Sequence, residues 1–198
     1  HNGDTIDAYV ARPAGVGPFA TVLVAHHMPG WDEWCIEVTR RFAHHGYLAI
    51  CPNLHHRFGP GTASEMSAGV RDSGGQNDEF VLGDLQGALD YVRGLDETTG
   101  KVGIIGFCSG GRVSYMAGCH LELDAAVDCW GGNVIPQPDR PLTPNQPNPV
   151  IDMTPDLGCP VLGLFGNDDA NPDPVQVNAI EEELKKHGKT YEFHRYDG

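Results

Sequence analysis

Apolar positions along the chain fall into two alternating rhythms. Short runs at 21–25 (TVLVA), 47–51 (YLAIC), 101–105 (KVGII), 125–130 (AAVDCW) and 161–165 (VLGLF) have the length and composition of buried strands. Longer segments with helical spacing lie between them. The pattern predicts a helix from about Asp32 to His45, with Trp34, Val38 and Phe42 on one buried face and Gly46 as a left-handed cap. A second helix, about 78–93, carries Leu82, Leu85, Leu89 and Val92 as a core-facing stripe. A small-residue helix runs to about Gly118 behind a glycine-rich turn. The last helix opens at Asp173-Pro174, a capping residue followed by a ring-fixed first turn, and points Val177, Ile180, Leu184 and His187 inward before Gly188 closes it. Residues 191–196 alternate as a final strand.

Strands that alternate with helices predict an α/β fold. Its sheet is mainly parallel, because parallel neighbours need crossover helices, and it is covered by helices on both faces. The run 133–149, rich in Pro and Asn, interrupts the rhythm. Since strand signals resume after it, it reads as an excursion over the top of one sheet, and residues 1–198 form a single domain.

Charge and cysteine usage narrow the partners. The 13 Lys and Arg against 27 Asp and Glu give a formal charge of −14, which repels phosphate backbones and anionic lipid and disfavours nucleic-acid and membrane partners. No apolar run reaches the roughly 20 residues needed to span a bilayer. Six cysteines are too few for a disulfide-built scaffold, and Cys51, Cys129 and Cys159 fall on predicted core strands. They read as reduced thiols, which points to the cytoplasm.

The chemistry concentrates in Gly106-Phe107-Cys108-Ser109-Gly110-Gly111, which follows a strand and opens a helix. That is the context of a nucleophile elbow, a sharp turn that exposes its central residue above the sheet. Small neighbours let strand and helix pass closely, and the helix N-terminus favours a thiolate and a developing oxyanion. Cys108 is thus placed to attack. The competing reading is a buried thiol in a glycine-rich turn. Ser109 is off-centre for a nucleophile.

The elbow through Arg112, the stretch Val22-Leu23-Val24-Ala25-His26-His27-Met28-Pro29-Gly30, and Gly46-Tyr47 with Cys51-Pro52-Asn53-Leu54 together resemble the dienelactone hydrolases, or carboxymethylenebutenolidases. The resemblance implies an α/β-hydrolase fold and a Cys-His-Asp triad acting on a small-molecule ester or lactone, with no metal and no organic cofactor. It puts the triad acid at Asp169 in the Gly166-Asn167-Asp168-Asp169 turn, with Asp168 as the near competitor. It puts the triad histidine about three residues past Gly198, so that the chain reads as truncated just before that residue. The N–H groups of Ser109 and Met28 match the oxyanion donors of such folds. The family's thiol-activating glutamate is replaced by His27, which either handles the thiol proton or is an ordinary loop histidine. Trp130 matches an aromatic pocket position, whereas the residue alone reads as core. Arg57 and Arg71 are candidates for a substrate carboxylate, with surface solvation as the simpler role.

The pairs His26-His27, His44-His45 and His55-His56 invite a metal reading, but none forms an HExxH or CxxC pattern, and Cys119-His120 lacks a second ligand pair. His44 and His45 suit a helix C-terminus. Two further functional readings stand beside the hydrolase: a thiol amidotransferase, which also sets Cys in a strand-to-helix turn, and a hydrolase scaffold that binds a small molecule without turnover.

Overall fold

The structure is a computed structural model that describes residues 1–138 and 140–197. Gly198, where the sequence approaches the expected triad histidine, lies outside the described residues, as does Asp139 within the 133–149 excursion.

Seven strands form one sheet: β1 (Ala8–Ala11), β2 (Phe19–Ala25), β3 (Leu48–Pro52), β4 (Thr98–Phe107), β5 (Ala125–Cys129), β6 (Val161–Gly166) and β7 (Tyr191–Tyr196), in the order β1-β3-β2-β4-β5-β6-β7. All neighbours are parallel except β1, which runs antiparallel to β3 at one edge. The chain moves from β2 outward to β3 and returns to β4. The order therefore reverses between β2 and β4, whose C-terminal ends pair at Ala25 and Gly106. A crevice forms at such a switch point because the two loops leave in opposite directions.

Helices cover both faces. The main core packs Leu85 and Leu89 of α3 (Asp78–Arg93), Tyr115 and Met116 of α4 (Ser109–His120), and Ile180 and Leu184 of α5 (Pro174–Lys186) against one face of the sheet. On the other face α1 (Glu33–His44) packs Cys35 against Val24 and Cys51. The expected inner face of α1 is off by one residue. Cys35, Thr39 and Ala43 are the buried positions, whereas Val38 and Phe42 pack from the side and Trp34 is 43% exposed. Small residues let the helix axis approach the sheet, and the indole of Trp34 is left at the crevice.

Three further features depart from the periodic pattern. The four-residue edge strand β1 is too short to register as alternation. Helix α2 (Ala63–Asp72) begins with a Thr62–Glu65 capping box and buries only Met66, Ser67 and Val70, a weak stripe. His187 caps α5 and bonds to Glu183, 2.9 Å away, instead of joining the inner face.

Residues of the excursion line a hollow together with Met28 and Ser109. Thr143 Oγ1 donates to the Gly74 carbonyl (2.9 Å), and Asn145 Nδ2 donates to those of Ser73 and Gly75 (3.0 Å each), tying it to the α2–α3 connection. Arg57 is not a surface cation: its Nη1 and Nη2 donate to the buried Asp84 carboxylate of α3 at 2.6 and 2.9 Å. Burial alone would push that carboxyl's pKa up, and the guanidinium holds it below its ordinary value. Among the described residues, no helix is long and apolar enough to cross a membrane.

Candidate active site

Cys108 stands between β4 and α4 with φ 55° and ψ −119°, a left-handed conformation that a side chain adopts only where its surroundings enforce it. The Cys108 N–H donates to the Cys129 carbonyl (3.0 Å), and its own carbonyl accepts from Gly111 N–H (2.9 Å). The flanking glycines leave no alternative. A Cβ on Gly106 would overlap the Gly110 carbonyl, and one on Gly110 would overlap the Ala25 carbonyl. The elbow thus needs contact between bare backbones, and the result is an exposed thiol at the positive end of a twelve-residue helix. Cys35, Cys51, Cys119, Cys129 and Cys159 are buried and free.

Ser109 opens α4, so its N–H is one of the donors that a helix leaves without an internal partner. Met28 sits across the crevice on the loop after β2. The peptide joining His27 to Met28 is fixed through the His27 carbonyl, which accepts from His26 Nδ1 (3.0 Å) and from Gly30 N–H (3.0 Å). Because that peptide is planar and trans, the Met28 N–H points the opposite way. His26 can bond to this carbonyl and to Leu54 at once in one tautomer only. Leu54 N–H donates to its Nε2 (3.1 Å), so the proton is on Nδ1, and burial lowers the pKa to about 4, keeping the ring neutral. In the sequence His26 stands out only as half of the His26-His27 pair; the signal for this supporting role is its place immediately before the donor loop.

Two contiguous hollows, of about 390 and 420 Å³, share Met28, Arg71, Ser109, Gly132, Asn133 and Arg140. The second also contains Cys108 and Asn171. Together they make one cleft, bounded above by the 133–149 excursion. Arg71 is held by donating to Ser67 Oγ (2.7 Å), whose hydroxyl donates to the Met28 carbonyl (2.5 Å). Two guanidinium groups, Arg71 and Arg140, thus line a cleft in a strongly acidic protein. Arg140 and Asn171 come from long loops without a motif, which is why sequence reading missed them. Beneath the elbow Arg112 is bidentate to Asp78 at 2.7 and 2.8 Å, a buried ion pair joining α4 to α3.

Asp169 is half-buried in the turn after β6, where its Oδ1 accepts the N–H of Asn171 (3.0 Å). Its neighbour Asp168 is exposed. Trp130 is not core: with φ 44° it follows directly on β5 and is 42% exposed, its ring centroid 5.8 Å from that of Phe107. The thiol beside His27 is Cys35. His27 Nε2 lies 2.9 Å from Asp32 Oδ2, and its ring stacks on Trp34 at 4.9 Å. The Cys35 thiol and the Asp32 carboxylate raise the His27 pKa against the effect of burial. The Cys35 thiol, paired with Cys51, is drawn down to about 6 while Cys51 is pushed up.

The dienelactone hydrolase family model matches residues 6–198. A protein of Methylorubrum extorquens named "Putative carboxymethylenebutenolidase" is 34% identical over 197 residues, covering 95% of this chain and 64% of its own length. One of the same name in Salmonella typhimurium is also 34% identical, with 92% and 67% covered. The chain thus spans about two thirds of the length of these curated relatives. A crystal structure of a "Putative Dienelactone Hydrolase" from Klebsiella pneumoniae superposes with a TM-score of 0.85 at 30% identity, covering 98% of this chain and 82% of that one. With the elbow, the switch-point crevice and the family match over nearly its whole length, the chain belongs to the dienelactone hydrolase family.

Proposed function

We propose that the protein hydrolyses small esters or lactones whose acid portion carries a second anionic group, through a thioester on Cys108. The observation that carries this reading is the exposed, left-handed Cys108 in a cleft that also holds Met28, Ser109, Arg71 and Arg140. The thiolate attacks the substrate carbonyl carbon and the carbonyl π pair moves onto oxygen, where the N–H groups of Ser109 and Met28 donate to it. Collapse breaks the C–O bond. The leaving oxygen takes a proton from the histidine that the resemblance implies after β7, with Asp169 orienting that imidazole. Water, deprotonated by the same histidine, then attacks the thioester and restores the thiolate. His27 serves this scheme by tying the loop that carries the Met28 donor to Asp32 at the start of α1. Trp130 and Phe107 form an aromatic rim beside the nucleophile.

The guanidinium groups of Arg71 and Arg140 favour substrates bearing a free carboxylate, as a dienelactone does. The test is an ester panel on the full-length protein and its Cys108→Ala variant, with an activated acetate, a dienelactone and the methyl ester of that lactone. Turnover is expected to fall at least a hundredfold in the variant, and the free carboxylate is expected to lower KM. Equal turnover by both proteins would overturn the reading.

A further inference from the structure

The loop after β2 and the first turn of α1 bring together three unlike donors that the hydrolytic scheme does not use as reactants. One ring nitrogen of His27, an Asp32 carboxylate oxygen and Cys35 Sγ all lie within 4.8 Å of one another. We propose that they bind a borderline divalent transition ion, of which zinc is the type, with a fourth position open to solvent. The juxtaposition of one nitrogen, one oxygen and one sulfur donor carries this inference.

Zinc bonds of about 2.0–2.3 Å in a tetrahedron place neighbouring donors about 3.3–3.8 Å apart. The His27 to Asp32 separation of 2.9 Å needs only a slight opening to admit the ion in place of the proton now shared there. Each donor is already oriented by its surroundings, and the protons an ion would displace are the one shared by His27 Nε2 and Asp32 Oδ2 and the one that Cys35 Sγ donates to the Gly30 carbonyl (3.6 Å). Asp32 caps α1, with Oδ1 accepting from Cys35 N–H (3.1 Å), which leaves Oδ2 directed at His27. The His27 ring is fixed by its stack on Trp34. Cys35 is set by the helix itself, and its carbonyl accepts from Thr39 Oγ1 (2.7 Å). Such supports hold first ligands in place and raise affinity.

Charge balance favours the same class. One carboxylate, one thiolate and a neutral imidazole neutralise a divalent ion, so a nearly buried site gains no net charge. The sulfur and nitrogen donors disfavour magnesium and calcium, which seek oxygen. Access is open from one side: the His27 and Asp32 side chains are 20% and 31% exposed, while Cys35 is buried. The spacing 27, 32, 35 matches no motif, so a sequence reading that expected no metal had nothing to detect. The loop concerned leads directly into Met28, so a bound ion would also stiffen the second oxyanion donor.

The test uses full-length protein, reduced and freed of metal with a chelator, then titrated with cobalt(II) as a spectroscopic probe. The expected result is a saturable thiolate-to-cobalt charge-transfer band with tetrahedral d–d bands, abolished by zinc(II) displacement. Cys35→Ser should lose the charge-transfer band. Asp32→Asn, which keeps a helix cap, should bind cobalt at least tenfold more weakly, and circular dichroism would establish that both variants are folded. Cys108→Ala should retain the full spectrum. Absence of the band in wild-type protein, its survival in Cys35→Ser, or its loss in Cys108→Ala would each overturn the assignment.

Discussion

Asp128 shows how single residues support the elbow at a cost. It is buried on β5, its Oδ1 accepts the Gly131 N–H (2.7 Å) that shapes the turn beneath Trp130, and its Oδ2 has no hydrogen-bond partner among the described residues. Burial raises its pKa to about 7, while the Gly131 hydrogen bond acts in the opposite direction. In the unfolded chain the carboxyl releases its proton near pH 4, and in the native protein near 7. Between these values the native state binds more protons, so this residue's contribution falls as pH rises from about 4 to 7 and is level above that. Asp128→Asn should therefore be more stable relative to wild type at pH 8 than at pH 4, by an amount on the order of a few kcal/mol. Urea midpoints at the two pH values measure this. A constant difference would mean that Asp128 does not titrate there. The comparison with Asp128→Asn is needed because buried His26 and His55, lowered to about 4 and 3, give the wild type an opposing slope. They lose stability as pH falls below about 6.5, where the unfolded imidazoles take up protons.

Some residues were legible from sequence because their neighbours in the chain define their geometry. Cys108 and Ser109 sit in one contiguous motif, and the glycines around them report the backbone contacts found in the fold. Met28 is marked out only by the resemblance, since residues 28–31 by themselves read as an ordinary turn. Arg140 and Asn171 reach the same cleft from two separate connections and Arg71 from the last turn of α2, and only the tertiary arrangement brings them together. Trp34 was misplaced, and Trp130 taken alone reads as core where the resemblance puts it at a pocket, for a common reason: a large apolar side chain reads as core unless the backbone turns it outward, as the α1 face and the positive φ of Trp130 do here.

At the scale of elements, the elbow depends on β4 and α4 touching without side chains between them. Gly106→Ala would drive a methyl into the Gly110 carbonyl, a backbone atom that cannot yield without moving the helix start. The expected cost is about 3 kcal/mol or more, read as a lower urea midpoint or as loss of folded protein. Gly87→Ala is the matched control. That glycine is exposed on α3 and a Cβ there meets nothing within 4 Å, so helix propensity alone should raise stability by about 1 kcal/mol. If both changes had the same effect, close packing at the elbow would not be the constraint. Long elements with repeated apolar spacing, such as α3 and α5, were legible in advance. The antiparallel edge strand β1 and the thinly apolar α2 were not, since neither buries enough of its own sequence to impose a period.

For the whole molecule, the decisive feature is the reversal of strand order between β2 and β4. It sets the Met28 loop opposite the Cys108 elbow and opens the cleft between them, while the excursion and α2 contribute Arg140 and Arg71. An excess of acidic residues elsewhere makes these two cations a local attraction for an anionic substrate, one that salt would screen. The central claim is that Cys108 carries the acyl group. Its most direct test is rapid acid quenching of the full-length protein during turnover of an activated acetate, followed by digestion and mass spectrometry. The reading predicts an acetyl group on the Cys108 peptide, formed before steady state and removed by neutral hydroxylamine. An acetyl group on any other residue, or turnover with no covalent species, would contradict it.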